Sequence, residues 1–260
     1  MKKWINWIAL VLVFTIACGF LANWQFSRRE ARLASIALVK KNFDASPVGL
    51  AAVTNGSEFN IPADTWRPVK VTGHYLPEKT LLVRNRPNNG TGGFEELVPF
   101  LSDSGEICYV SRGWIPTGER QNYPDKVPLP TTHSTTIVAR VVAEEPILDR
   151  GAPKGQLASI NITLANKQTG LENAISSGYM RLASELPQVS EKLQAMPDPA
   201  IEEGNNLSYA VQWIIFALMA IVALIWRVRR DRMIEAGNPK VKRITRAQLD
   251  EAYEDSRTEQ

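Results

Sequence analysis

Few residues in this chain are spaced for catalysis. The two histidines, His74 and His133, and the two cysteines, Cys18 and Cys108, stand far apart from one another. The clustered ligands of a zinc site are therefore missing, as is a Cys-x-x-x-Cys copper pair. So are a glycine-rich phosphate loop and a Gly-x-Ser-x-Gly nucleophile elbow. Glu95 and Glu96 are adjacent in an alternating stretch, where neighbours point to opposite faces and cannot work as an acid/base pair. What remains is suited to recognition. Trp24, Gln25 and Arg28 follow one apolar run, Tyr209, Gln212 and Trp213 open another, and Arg112 and Trp114 close a β-like segment. Tryptophan, tyrosine and arginine combine large contact area with directed polar groups and dominate binding hot spots. The chain reads as a binding protein, not an enzyme.

Those residues hang on two apolar runs, 4–21 and 207–226, at opposite ends of a long polar middle. Each approaches the ~20 helical residues that cross a bilayer's hydrocarbon core. Trp24-Gln25 makes a poor signal-peptide cleavage site, and Thr15 spoils the lipoprotein pattern ahead of Cys18, so the first run reads as a retained anchor. Arg227, Arg229, Arg230 and Arg232 follow the second run, while Asp198, Glu202 and Glu203 precede it. Cytoplasmic flanks collect Lys and Arg, which puts both termini inside. The expected plan is a multi-pass inner-membrane protein. Residues 1–3 are cytoplasmic, 4–23 a transmembrane helix, 24–203 an extracytoplasmic domain, 206–226 a second transmembrane helix and 227–260 a cytoplasmic basic tail. Trp4, Trp7, Trp24, Trp213 and Trp226 sit near the span ends, as an interfacial aromatic belt would place them. The net charge of +3 is small and its excess lies in the tail beside the membrane. Attraction to anionic lipid accounts for that better than nucleic acid does.

The middle changes texture from helix to β. Residues 27–41 carry an imperfect apolar stripe and prolong the first span as a helix. Alternating segments at 66–75, 80–86, 94–101, 107–114 and 135–143 read as strands, separated by turns such as Pro87-Asn88-Asn89-Gly90 and Asp103-Ser104-Gly105. Short turns between neighbouring strands imply an antiparallel meander. The fold class is thus a membrane protein with two transmembrane helices and an extracytoplasmic α+β domain dominated by an antiparallel β meander or partly closed barrel. Residues 146–197 are less regular, with a short helix at 164–174, weakened by Gly170, and a short strand at 179–183. Cys108, lone in a β-like run, reads as a small buried hydrophobe. In the tail, 245–253 has partial helical character.

Three separated clusters resemble the Surfeit-locus family of cytochrome c oxidase assembly factors. Trp24-Gln25-Phe26-Ser27-Arg28 is similar to the family's Trp-Gln-x-x-Arg. Gly92-Gly93-Phe94, Val98-Pro99 and Val110-Ser111-Arg112-Gly113-Trp114-Ile115-Pro116 follow the family's central pattern in order. Asn206-Leu207-Ser208-Tyr209-Ala210-Val211-Gln212-Trp213 is similar to its second-span entry. The resemblance covers 24–226, with 146–197 matching least. It implies a non-enzymatic assembly factor for a haem–copper terminal oxidase, partnering the catalytic subunit around haem insertion with transient contact to haem a. Family members often carry Gly where Ala22 stands. In many, a histidine implicated in haem a binding stands where this chain has Asn206. An asparagine amide cannot replace imidazole as an axial iron ligand. Haem ligation is therefore not expected here, and Tyr209 and Trp213 would line an apolar slot without touching iron. Partner binding would fall to Trp24, Gln25, Arg28, Arg112, Trp114 and Gln212.

Each of these has a plainer role as well. Asn206, just ahead of the apolar run, suits a helix N-cap. Tyr209, Gln212, Trp213 and Phe216 share a helical face. Gln212 on that face either pairs with the protein's own first helix, near Gln25 or Arg28, or meets an oxidase subunit or haem. Arg112 and Trp114, two apart in a strand, share a face as a core tryptophan with arginine stacked at the sheet edge, or serve a partner. A generic two-anchor scaffold for another envelope complex is the alternative to the oxidase reading.

Overall fold

The computed structural model describes residues 2–119, 122–188 and 191–237. The tail helix expected at 245–253 lies outside them. In chain order the elements are α1 (Lys2–Asn42), β1 (Thr54–Asn55), β2 (Glu58–Phe59), β3 (Pro68–Tyr75), β4 (Leu81–Val83) and β5 (Gly93–Ser102). Then follow β6 (Ile107–Pro116), β7 (Thr135–Ala143), β8 (Gln156–Leu157), α2 (Ile162–Thr169), β9 (Gly178–Leu186) and α3 (Asn206–Glu235). Contacts divide the chain into two units, Met1–Leu33 with Glu203–Gln260, and Ala34–Glu202.

The first unit is a helix pair. α1 and α3 are the two described helices long and apolar enough to cross a membrane, with best-window hydropathies of 2.3 and 2.2. Along α1, exposure falls at Val11, Thr15, Cys18, Ala22, Gln25 and Arg29, in alternating steps of four and three. That is the seam spacing of coiled-coil packing. Along α3 it falls at Ala210, Trp213, Ala217, Ala220 and Leu224. Cys18, Ala22 and Ala210 are buried, because small side chains let two backbones approach where lipid supplies no hydrophobic drive. The pair is antiparallel: the Arg227 guanidinium lies 4.6 Å from the Trp7 ring at one end, and Arg29 pairs with Glu203 at 3.0 Å at the other. Asn206 is not the N-cap. Gly204 turns the chain at φ +72, Asn205 takes the cap position without a side-chain cap bond, and Asn206 is the first helical residue.

The second unit is a closed β ring with additions. β5 pairs with β6 along one edge. Its other edge is shared by β4 (Leu81↔Leu97) and β3 (Tyr75↔Phe100). β3 continues to β7, β7 to β9, and β9 returns to β6, so five strands form a ring. Closure requires Gly73, where a Cβ would lie 2.1 Å from the Leu101 carbonyl oxygen. Of the expected meander or partly closed barrel, the sheet takes the ring-closed form, mostly antiparallel. Two parallel pairs are additional: β6–β9, because the strand expected at 179–183 runs Gly178–Leu186 and reaches across the ring, and β4–β8, where Leu82 and Val83 meet Gln156 and Leu157. Val69, Val71, Val98, Phe100, Val110, Ile137, Val141 and Met180 form the core within the ring. A second core, with Leu81, Val83, Leu97, Tyr109 and Tyr179, lies beneath α2. That helix is capped by Asn161, which accepts from the Leu164 amide, and it stops at left-handed Gly170, short of its expected length.

Candidate functional site

Two adjacent carboxylates organise the buried chemistry of the second unit. Glu95 and Glu96 point to opposite faces of β5, as neighbours in a strand must, and both side chains are buried. Each therefore needs its own cation. Glu96 takes Arg112, whose Nη1 lies 2.6 Å from its Oε2 and also donates to the Pro128 carbonyl at 3.1 Å. Arg112 further sits 3.9 Å from Glu185 and 5.4 Å from the Tyr75 ring. Tyr75 in turn donates its hydroxyl to Glu185 at 3.2 Å. Glu95 takes Arg86 at 3.2 Å, and Arg86 also holds Glu145 at 2.7 Å. Ser111 donates its hydroxyl to Glu95, and the Trp114 indole N–H donates to the Arg86 carbonyl at 2.6 Å.

Arg112 and Trp114 do not share a face. The β5–β6 register shifts between Glu96 and Leu97, so Glu96 pairs with Gly113 while Leu97 pairs with Ser111. Arg112 is the extra, bulged residue, and a bulge resets the alternation beyond it. Ser111 and Trp114 consequently fall on the Glu95 side and Arg112 on the Glu96 side. Nor does Arg112 stack at an exposed sheet edge: its side chain is 2% exposed.

Burial governs the proton equilibria. It pushes the Glu96 carboxyl from 4.5 up to about 7, with Arg112 pulling it back and Glu185 adding to the rise. Burial and then Glu185 push the Tyr75 phenol upward, keeping it a donor. Burial opposes the Arg86 charge, but the hydrogen bond it donates to Glu145 and the charge of Glu95 more than offset it, so its affinity for a proton rises. The Cys108 thiol, fully buried, is also pushed upward, which suits an inert core position. For Glu96 the folded state holds the proton more tightly than the unfolded chain. Its contribution to stability is full below about pH 4.5 and is lost as pH rises through about 7. Unfolding free energies measured for Glu96→Gln and the parent protein from pH 5 to 8 are expected to diverge in slope, the variant being the flatter. Parallel profiles would rule this origin out.

On the helix pair the expected residues separate into two settings. Trp24 is half exposed with the Arg28 guanidinium 5.1 Å over its ring. Gln25 lies in the seam, its Oε1 buried without a hydrogen-bond partner. Trp213 turns toward the seam and meets Phe216 edge-on at 5.8 Å, while Tyr209 and Gln212 are exposed. Gln212 bonds to neither Gln25 nor Arg28 among the described contacts. Arg86, Glu145, Glu185, Tyr75 and Ser111 escape sequence reasoning. Only Arg86 had a signal: two carboxylates on opposite faces of a strand buried on both sides need a basic partner each.

The histidine that the resemblance would place at the mouth of α3 is missing. Neither histidine is in α1 or α3: His74 lies in β3 and His133 just before β7. The mouth of α3 offers an asparagine amide, a phenol and an indole, none of them an imidazole. No group of three or more His, Cys, Asp or Glu able to hold a metal ion occurs among the described residues.

The family model described as SURF1 family matches residues 12–218. A SURF1-like protein of Mycobacterium tuberculosis is 30% identical over 247 residues, covering 90% of this chain and 89% of its own. A SURF1-like protein of Rickettsia conorii is 23% identical over 246 residues, covering 88% and 92%. The Saccharomyces cerevisiae protein named cytochrome oxidase assembly protein SHY1 is 28% identical over 121 residues, 45% of this chain and 30% of the yeast one.

Proposed function

The chain belongs to the SURF1 family, and from that membership we propose that it is a membrane-anchored assembly factor for a haem–copper terminal oxidase. The observation that carries the reading is the match across residues 12–218, which takes in most of α1, the whole ring and the opening turns of α3, alongside a relative named for oxidase assembly. In this reading the protein works by placement. α1 and α3 lie beside helices of the catalytic subunit, with the 24–203 domain on the extracytoplasmic face and both termini inside.

The exposed groups on the helices are the ones suited to a partner. Gln212, bare within an apolar span, favours a polar contact from another helix. Trp24 and Arg28 offer a stacked aromatic–cation pair at the outer end of α1. Gln25 carries an unmet acceptor within the seam. Arg112 and Trp114 act from behind the surface, holding the end of the ring. The buried carboxylates are tied to structural cations, Glu96 to Arg112 and Glu95 to Arg86.

Deletion of the gene tests the reading. Oxidase activity and oxidase-bound haem are expected to fall in deletion membranes and to return with the intact gene. Normal activity and haem content under several growth conditions would refute it. Copurification with a non-oxidase complex alone, never with an oxidase subunit, would favour the general envelope scaffold.

A further inference from the structure

β9 covers little of the edge of β6, pairing there only at Val110 and Ser111. Farther along, Gln194 takes over in an antiparallel bridge to Trp114. The Trp114 amide donates to the Gln194 carbonyl at 2.7 Å, and the Gln194 amide donates back at 3.3 Å. Gly113 is built for this approach. Its φ is +154, and a Cβ there would lie 2.6 Å from both the Gln194 carbonyl oxygen and Leu193 Cβ. Glycine at a strand position marks a place where a second backbone comes close.

Apart from an exposed ion pair between Lys126 and Glu191 at 2.5 Å, the segment that uses this place is thinly held. Two clefts, of about 220 Å³ and 330 Å³, both run along Lys192 and Leu193. Leu193 is only partly buried against Leu82, Phe94 and Ile115. The Asn88 amide reaches the Ala195 carbonyl at a long 3.4 Å. Residues 191–195 thus occupy an edge shaped for a strand while packing as a loop.

We infer that residues 191–195 are a displaceable stand-in, and that this edge of β6 accepts an extended strand from a partner protein. The exchange keeps the main-chain bonds of the strand edge, since the incoming backbone replaces the two at Trp114, while the long Asn88 bond and the exposed Lys126–Glu191 pair are given up. Main-chain pairing supplies the affinity and the side-chain pockets the selectivity. The resident residues define the ligand. It is an extended peptide with an aliphatic side chain for the Leu82, Phe94 and Ile115 cluster, directly preceded by a cation as in Lys192-Leu193. Glu185 and Arg112 both line the cleft that Lys192 borders, so the resident lysine sits beside a carboxylate already shared with an arginine. The inference is independent of the oxidase reading, because it names the partner by strand chemistry alone.

Two measurements on the full chain in detergent micelles test it. Amide exchange at Trp114 and Gln194 is expected to be at least about tenfold faster than at Tyr109 and Val110 of the same strand, reporting local opening. Equal protection would overturn the inference. A labelled synthetic peptide of residues 191–198 is expected to bind. Leu193→Asn, which loosens the resident segment, should tighten its apparent affinity about tenfold by raising the competent fraction. Gly113→Val, in protein whose circular dichroism and melting are unchanged, should abolish binding by filling the close approach. Absence of peptide binding to the Leu193→Asn protein, or binding indifferent to both substitutions, would likewise overturn it. Should Gly113→Val fail to fold, the exchange rates still decide.

Discussion

Replacing Arg112 by methionine is expected to destabilise the β ring by about 3–5 kcal/mol, the cost of stripping one partner from a buried ion pair. The side chain is 2% exposed, and Glu96, its partner at 2.6 Å, is fully buried. Methionine keeps much of the volume but leaves Glu96 without its cation, Glu185 without its neighbour and the Pro128 carbonyl without its donor. Denaturant unfolding of the purified protein near pH 8, where Glu96 is ionised in the parent, measures the effect. Adding Glu96→Gln to the variant should restore a large part of the loss, because the uncompensated charge goes with it. A loss below about 1 kcal/mol would place the pair among weak, solvent-screened ones and contradict the burial described here. This is a stability effect, and it separates Arg112 from residues whose replacement should alter partner binding while leaving the fold alone.

The second large effect is spectroscopic. The purified protein is expected to show no stoichiometric Soret band of axially ligated haem, and Asn206→His is expected to create one when haem a is supplied. Asn206 stands at the first turn of α3, three residues before Tyr209 and seven before Trp213, so an imidazole there would share the helix mouth with two aromatic groups. The amide in its place offers no comparable iron ligand. Difference spectra of parent, Asn206→His and a His74/His133 double replacement decide the matter. A strong band in the parent that survives loss of both histidines would mean a different ligand and would sink the expectation. No new band in a folded Asn206→His protein would show that the helix mouth does not admit the macrocycle.

The sequence disclosed some of this and hid the rest for identifiable reasons. Apolar length and charge are one-dimensional properties, so both helices and their continuation past the first span can be read directly. Alternation located β3, β5, β6 and β7, because each has at least one face committed to a core. The ring closure cannot be read in that way. Nothing in the 179–183 alternation states that this strand reaches β7 and β6 together, and Glu185 and its contacts with Tyr75 and Arg112 depend on that reach. The faces of Arg112 and Trp114 were misread for a local reason: alternation is counted in residues, and a bulge inserts one that the count does not see. The Asn206 cap was misplaced by one position, since two consecutive asparagines suit the same cap and Gly204 decides between them.

The bulge has a further consequence, for how the chain can vary. It acts as a phase shifter in β6. Upstream of Arg112, even-numbered residues such as Cys108 and Val110 face the ring core, whereas downstream the even-numbered Trp114 faces away from it. Deleting either Arg112 or Gly113 would give a cleaner ladder and a poorer protein. Trp114 and Ile115 would exchange surroundings, and the tryptophan would lose the Arg86 carbonyl. A tolerated change of length here would need a matching change in β5 at Glu96 and Leu97, where the register shifts. The same holds for composition. Arg112 is free to vary only together with Glu96, and Gly113 only together with the backbone that crosses it, so substitutions in this short stretch should be inherited as linked sets.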